Sequence, residues 1–170
     1  MTEIATPRFI LRDLRQEDIT PQYLGWFADP AAQKHIAAAA DTQTLSQLRA
    51  YLAERTGRRD VLFLGIFDRT TGAHVGNVKF EPVDAAQGYA VMGILIGDPA
   101  YRGKGVASEV IAASGRWLKA SEGITEIVLG VHCDNDAAIQ AYERAGFVVE
   151  PTPHISVSDD ALTMVWRIEG

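Results

Sequence analysis

The sequence predicts an α+β fold, a mixed α/β layout with about four helices around one central sheet of about seven strands. Three observations predict it. Short apolar runs rich in β-branched and aromatic residues recur along the chain, bounded by Gly, Pro and Asp/Asn turn signals. Stretches with apolar residues at helical spacing lie between them. No internal repeat, low-complexity segment or linker interrupts the 170 residues, a length that suits one domain, 1–170, with a proper core.

Each element has its own signal. "RFILRDL" (8–14) sets bulky apolar residues among charges and reads as a strand. "QEDITPQYLGWFADP" (16–30) reads as a helix with Tyr23, Leu24, Trp26 and Phe27 near one side, ended before Pro30. Thr44 and Gln47 fit a capping box, and the next helix places Leu45, Leu48, Tyr51, Leu52 and Arg55 along one stripe. "VLFLGIF" (61–67) and "AHVGNVKF" (73–80) flank the turn signal "DRTTG" and read as paired strands. "YAVMGILIG" (89–97) is a further strand. A helix to about Ala120 follows, with Val106, Val110, Ile111, Trp117 and Leu118 inward. "ITEIVLGV" (124–131) reads as a strand. "DNDAAIQAYERAGF" (134–147) reads as a short helix with an Asp/Asn cap and Gly146 as its left-handed stop. "FVV" and "LTMVWRI" (162–168) close the chain as strands.

Composition narrows the function classes. Hydrophobic residues make up 47% and charged residues 22%, ordinary for a soluble globular protein. A formal net charge of -6 argues against nucleic acid, which calls for a basic face, and mildly favours cationic or amine ligands. No apolar run approaches the roughly 18 residues of a membrane span, and "MTEIATPRFI" lacks the features of a signal peptide. The expected location is the cytoplasm, with no membrane partner. Cys133 is the single cysteine, so no disulfide framework forms within the chain; it reads as a buried thiol. The four histidines, at 35, 74, 132 and 154, form no ligand spacing with Cys133, and no metal is expected.

The chemistry concentrates in "YRGKGVASEVI" (101–111). Gly103 and Gly105 have no side chain to block a ligand. The helix that follows points its free N–H groups back at the loop, an arrangement that binds anions, phosphate above all. Arg102 and Lys104 add positive charge, so the expected ligand group is a phosphate or pyrophosphate. A P-loop fails because Val106 follows Gly105. A dinucleotide fingerprint fits poorly, because Ser108 stands at its third glycine and neither Glu122 nor Glu126 is clearly at a strand end. A third pattern, Arg/Gln-x-x-Gly-x-Gly/Ala, is met by Arg102, Gly105 and Ala107.

That third pattern is the coenzyme A pyrophosphate loop of the GNAT acetyltransferases, and the chain resembles this family over almost its whole length. About 28 residues further on, "NDAAIQAYERAGF" resembles the family's second signature, with Asn135, Tyr142, Gly146 and Phe147 in register. The start, "TPRFILRDLRQED", looks like the family's first strand and helix entry. The likeness is greatest to the RimJ/RimL type, whose members often carry "YLxWxxDP", as "YLGWFADP" does here. The resemblance implies a splayed central sheet that holds acetyl-CoA between two parallel strands. It implies acyl transfer from a thioester to an amine.

Residue roles follow from the resemblance. The backbone of Leu95, Ile96 and Gly97 would hold the pantetheine arm and acetyl group. Gly103, Lys104, Gly105, Val106, Ala107 and Ser108 would present N–H groups to the pyrophosphate, and Asn135 would contact the cofactor arm. Tyr142 would be the catalytic acid: a phenol with an ordinary pKa near 10 is protonated at pH 7 and can donate to a departing thiolate. Asn135 and Tyr142, seven residues apart, share one helix face. Plainer readings stand beside these: a core strand for "GILIG", a solvated charge for Lys104, a helix cap for Asn135, a core ring for Tyr142.

The general base departs from the family pattern. Strand 89–97 has no Asp or Glu, which leaves Glu81, His132 or a water chain. The acceptor would enter beside the first helices and the stretch 150–160, near Trp26, Phe27 and Asp29, although Trp26 and Phe27 read as core. The first expectation is a small amine metabolite or an amino-sugar nucleotide. The second is the N-terminal amine of a protein, and a non-catalytic acyl-CoA sensor is a third reading. A homodimer is compatible with all of them.

Overall fold

In the computed structural model, which describes residues 1–29 and 42–169, eight strands form one mixed sheet. In chain order they are β1 (Glu3–Ala5), β2 (Phe9–Asp13), β3 (Leu62–Asp68), β4 (His74–Asp84), β5 (Tyr89–Ile96), β6 (Glu126–His132), β7 (Val148–Val149) and β8 (Ala161–Arg167). Their order across the sheet is β1-β2-β3-β4-β5-β6-β8-β7. Neighbours are antiparallel except β5 and β6, which run parallel. Four helices are present among the described residues: α1 (Pro21–Trp26), α2 (Leu45–Arg55), α3 (Val106–Glu122) and α4 (Asp136–Ala145). No helix among them is long and apolar enough to cross a membrane.

The predicted order of elements is present, with three differences. The eighth strand is β1, whose three residues carry no apolar run; pairing with β2, from Glu3↔Arg12 to Ala5↔Ile10, makes it a strand. The helix predicted over 16–30 is a 3-10 turn at Gln16–Asp18 followed by α1, which ends at Trp26 with Phe27 as its C-cap, short of Pro30, which lies outside the described residues. Thr20 stands between the two pieces, extended, and its hydroxyl accepts the Tyr23 N–H at 3.2 Å, while Pro21 occupies the first helical position. Strand β4 runs on to Asp84, through a register shift between Phe80 and Val83 that absorbs Pro82. The capping box at Thr44 is present as expected: Thr44 Oγ1 accepts the Gln47 N–H, and Gln47 Oε1 accepts the Thr44 N–H, each at 3.1 Å.

Both sheet faces are covered. Val110, Ile111 and Leu118 of α3 pack with Leu64, Val78 and Phe80 of the sheet and with Phe147, all fully buried. Each such side chain stabilises the fold by about 1.5–3 kcal/mol relative to exposure. The other face packs Tyr23, Trp26 and Phe27 with Leu48, Leu52 and Phe67, so Trp26 and Phe27 are core, as expected. Gly97 belongs to this packing. A Cβ there would collide with the Trp26 ring, so only glycine lets the indole reach the strand end.

Candidate active site

The site begins where two parallel strands part. Strands β5 and β6 pair only through Tyr89↔Glu126, Ala90↔Ile127 and Val91↔Val128. Beyond Val91, β5 stays paired with β4 alone; beyond Val128, β6 stays paired with β8 alone. Among the described residues the gap leaves a stretch of β5 backbone with no strand partner on that side, the kind of edge an extended ligand can join. A cavity of about 700 Å³ occupies the gap. Its walls are Ile94, Leu95 and Ile96 of β5, the end of β6 from Gly130 to His132, the loop and first turn at 101–108, and one face of α4.

The glycine loop is shaped by its backbone. Gly103 and Gly105 sit at φ 70° and 75°, a left-handed conformation that strains any residue with a Cβ. Gly105 is the N-cap of α3, and no side chain caps that helix. The first-turn N–H groups of Val106, Ala107 and Ser108 therefore face the cavity side with the positive end of the helix dipole behind them. A Cβ on Gly103 would meet nothing within 4 Å, so the loop keeps open space beside its backbone. This cradle fits a diphosphate, and the β5 edge fits the amide-bearing arm of a pantetheine.

Most of the expected site residues converge on the cavity. Leu95, Ile96, Arg102, Gly103, Gly105, Val106, Ala107, Ser108, Asn135 and Tyr142 all line it. Gly97 and Lys104 do not. Gly97 donates to the Val75 carbonyl at 2.9 Å and faces Trp26. Lys104 is exposed, and its ammonium makes no ion pair among the described residues. The Arg102 side chain turns back onto the strand end, donating to the Ile96 carbonyl at 3.0 Å and the Gly97 carbonyl at 3.3 Å, with Asp29 at 3.4 Å. The open stretch of β5 is therefore centred on Ile94 and Leu95.

Helix α4 supplies the polar face. Asn135 is its N-cap: Oδ1 accepts the Ala138 N–H at 3.3 Å. Tyr142 lies two turns on, half-buried, with its ring 5.8 Å from Phe147 and packed on the core beside Ala138 and Ile139. Its hydroxyl has no hydrogen-bond partner among the described residues. Burial pushes this phenol up to about 12, so it is fully protonated at any working pH.

The candidate bases separate. Glu81 is not part of the cavity wall; Arg55 donates to it at 2.8 Å, and Arg58 and Lys79 each lie at 3.5 Å. Burial works to raise its carboxyl, but the Arg55 hydrogen bond and the Lys79 and Arg55 charges outweigh it and hold the group below the usual range. His132 does line the cavity. Its Nδ1 lies 2.6 Å from Asp134 and its Nε2 3.1 Å from Asp160, so both ring nitrogens face carboxylates. Asp160 ties this histidine to the 150–160 stretch, a contact that sequence spacing does not reveal. Cys133 is exposed and not buried: it sits past the end of β6, where its N–H donates to the Asp160 carbonyl at 2.8 Å. Among the described residues no group of three or more His, Cys, Asp or Glu side chains is arranged to hold a metal.

Comparison with known proteins agrees with this geometry. The family model for the acetyltransferase (GNAT) domain matches residues 8–148. Mycothiol acetyltransferase of Corynebacterium efficiens is 37% identical over 101 residues, 59% of this chain and 32% of that protein. N-alpha-acetyltransferase 30 of Schizosaccharomyces pombe is 36% identical over 80 residues, 47% of this chain and 51% of that protein. The matched segments thus span about a third and about half of these relatives. Among solved structures, a GNAT-family acetyltransferase from Bacillus anthracis superposes with a TM-score of 0.81 at 18% identity, covering 99% of this chain and 100% of that one. RimL, the ribosomal L7/L12 alpha-N-protein acetyltransferase in complex with coenzyme A, superposes at 0.80 with 16% identity over 98% of both chains. Spermidine N-acetyltransferase from Vibrio cholerae, in complex with coenzyme A and spermine, superposes at 0.70 with 19% identity over 95% and 96%. These likenesses are of fold. The family match over most of the chain, met independently by the splayed sheet and the glycine cradle, makes this protein a member of the GNAT acetyltransferase family.

Proposed function

We propose that this chain is an acetyl-CoA-dependent N-acetyltransferase of the RimJ/RimL-like type, transferring an acetyl group to the primary amine of a small metabolite or amino-sugar nucleotide by direct attack. The observation that carries the reading is the single cavity wall that joins the open β5 edge, the uncapped start of α3 and the Tyr142 hydroxyl. Bound acetyl-CoA supplies an activated thioester. The chain's own groups do the rest: N–H groups of 103–108 hold the diphosphate, the Ile94–Leu95 edge holds the arm, and Asn135 flanks it. Tyr142 holds a proton beside the cavity and donates it to the sulfur that departs, and its high pKa keeps that proton available. His132 is the base candidate on the cavity wall; a water chain is the other route for the amine proton.

The small-amine assignment rests on the similarity to mycothiol acetyltransferase and on the acidic balance of the chain. A second reading, acetylation of a protein N-terminus, is supported by the similarity to N-alpha-acetyltransferase 30. A panel of amines tests both. Amino sugars, amino-sugar nucleotides, polyamines and peptides with free N-termini are incubated with acetyl-CoA, and released thiol is measured. Thiol release with small amines and none with peptides supports the first reading; the reverse supports the second. Acetyl-CoA binding with no thiol release from any acceptor makes the protein a sensor and overturns both.

A further inference from the structure

Arg8 lies in the short turn between β1 and β2, 94 positions before the start of the loop that its side chain approaches. The turn is fixed by the chain itself: Thr6 N–H donates to the Phe9 carbonyl at 2.8 Å, and the Phe9 N–H donates to Thr6 Oγ1 at 2.9 Å. Glu109, in the first turn of α3, then takes three donors from this turn. Its Oε2 accepts Thr6 Oγ1 at 2.6 Å and the Arg8 N–H at 2.9 Å, and its Oε1 accepts Arg8 Nε at 2.7 Å. Burial works to raise the Glu109 carboxyl, but these hydrogen bonds outweigh it and hold it ionised. Among the described residues the guanidinium is thus clamped through Nε alone. A Cβ built on Gly105 would lie 3.9 Å from its Nη2, and 46% of the side chain stays open to solvent.

We propose that Arg8 is a phosphate-binding residue of this site: clamped by Glu109, it presents its Nη groups beside the Gly105 turn to a phosphate of the coenzyme's nucleotide half. The proposal rests on the reading of 102–108 as the diphosphate loop. The physics favours it for two reasons. A guanidinium held in a fixed plane, with two nitrogens that make no hydrogen bond among the described residues, matches a phosphate bidentately. Glu109 alone would set a negative charge at the very helix end that must accept an anion, offsetting the positive end of the helix dipole and repelling that anion. Pairing with Arg8 cancels that charge and converts the carboxylate into a clamp. Arg102, which the sequence motif singles out, is turned onto the Ile96 and Gly97 carbonyls, whereas Arg8 brings its Nη2 beside the Gly105 turn.

The test is calorimetric titration of Arg8→Gln, Arg8→Lys and the double variant Arg8→Gln/Glu109→Gln, beside wild type and Gly105→Glu. The ligands are acetyl-CoA and acetyl-3′-dephospho-CoA, with S-acetylpantetheine followed by ligand-observed NMR. Arg8→Gln is expected to weaken acetyl-CoA by about 10- to 100-fold, the worth of a charge-assisted hydrogen bond. Arg8→Lys should recover part of the loss, and S-acetylpantetheine, which has no nucleotide half, should bind as to wild type. Loss with both coenzymes assigns the contact to the diphosphate; loss confined to acetyl-CoA assigns it to the 3′-phosphate. The double variant leaves no unpaired carboxylate, so it keeps the fold and must still bind weakly. Wild-type affinity in Arg8→Gln, restored affinity in the double variant, or an equal loss of S-acetylpantetheine overturns the proposal. If Gly105→Glu also binds as wild type, the diphosphate loop itself is misassigned; if Gly105→Glu fails to bind while Arg8→Gln is normal, only the role of Arg8 falls.

Discussion

Helix α2 begins at Thr44, where the threonine hydroxyl and the Gln47 amide satisfy each other's backbone N–H groups within one turn. Helix α3 begins at Gly105, in a left-handed conformation, with no side-chain acceptor among the described residues. Both helices face the same physical requirement, since the first N–H groups of any helix lack partners inside it. One meets it from its own sequence. The other leaves its donors bare on a cavity wall, beside an open β5 edge and under Arg8. A capped end is finished as structure, whereas a bare end on a cavity has its acceptors delivered by a ligand. Helix α4 falls between them: Asn135 caps it and also lines the cavity, so one residue serves both ends of the comparison.

The largest effect expected comes from the chemistry and not from either cap. Tyr142→Phe removes one oxygen and keeps the ring on Phe147. If the phenol protonates the departing thiolate, turnover falls by about 10²–10⁴. Acetyl-CoA affinity stays within a few fold, because on the proposed reading the α3 end and not Tyr142 would hold the nucleotide half. Steady-state thiol release with the best acceptor, beside calorimetry, checks both numbers. Near-normal turnover removes Tyr142 from the mechanism and leaves water or His132 to supply the proton. The raised phenol pKa adds a signature: no loss of rate through pH 9 should trace to Tyr142 ionisation, since its proton is held to about 12.

Next in size is the bare end itself. Gly105→Glu adds bulk and negative charge where the diphosphate would lie, and acetyl-CoA affinity should fall by at least about 100-fold, more than one charge-assisted contact. The fold should survive with a cost of roughly 1–2 kcal/mol for a Cβ at φ 75°. Arg8, 3.9 Å from the new Cβ, is placed to pair with the added carboxylate. Titration of the folded variant decides it; unchanged affinity would sink the assignment of this loop.

What could be read from the chain divides along the same line. Helix starts with local chemistry were legible: Thr44 with Gln47, Asn135 before an amphipathic run, glycines before Val106. Their signals lie within a few residues of one another. So were the strands with apolar runs, because burial on a sheet leaves a local pattern. Strand β1 was not, since its three residues become a strand only through β2. Chain order alone groups Gly97 with Leu95 and Ile96; that it faces Trp26, some seventy positions away, and stays off the cavity wall is not visible in the spacing. Glu109 clamping Arg8 and Asp160 holding His132 are of the same kind. Contacts between distant segments depend on the sheet order, and no spacing rule carries them. Cys133 shows the converse error: cysteines are mostly buried, but this one stands past the end of its strand.

A ligand that completes the bare end should also stabilise the whole protein. At 100 times its dissociation constant, acetyl-CoA is expected to add roughly 2.7 kcal/mol, or about 5–11 °C in Tm for a chain of this length. NAD or ATP at the same concentration should do much less, because neither offers a pantetheine to the β5 edge. Thermal melts with each ligand check this. A larger shift with NAD would make the glycine loop a dinucleotide site and overturn its assignment to coenzyme A.

The smallest effect is the one that isolates the comparison. Thr44→Ala removes the hydroxyl that accepts the Gln47 N–H and leaves the rest of α2 in place. Its cost is about 1 kcal/mol, the usual worth of such a cap, and so about 2–4 °C in Tm. Acetyl-CoA affinity should not change, since Thr44 is not part of the cavity wall. The bare end has no equivalent substitution, because Gly105 offers no side chain to delete. The pairing of the two results is therefore the point. In apo protein, Thr44→Ala lowers Tm and spares binding, while Gly105→Glu abolishes binding at a cost to Tm set by its backbone strain. Thermal melts of both variants with and without acetyl-CoA measure this directly. The ligand-induced shift should persist in full in Thr44→Ala and vanish in Gly105→Glu. If Thr44→Ala lost the ligand shift as well, α2 would be coupled to the site, and the two helix ends would not be independent.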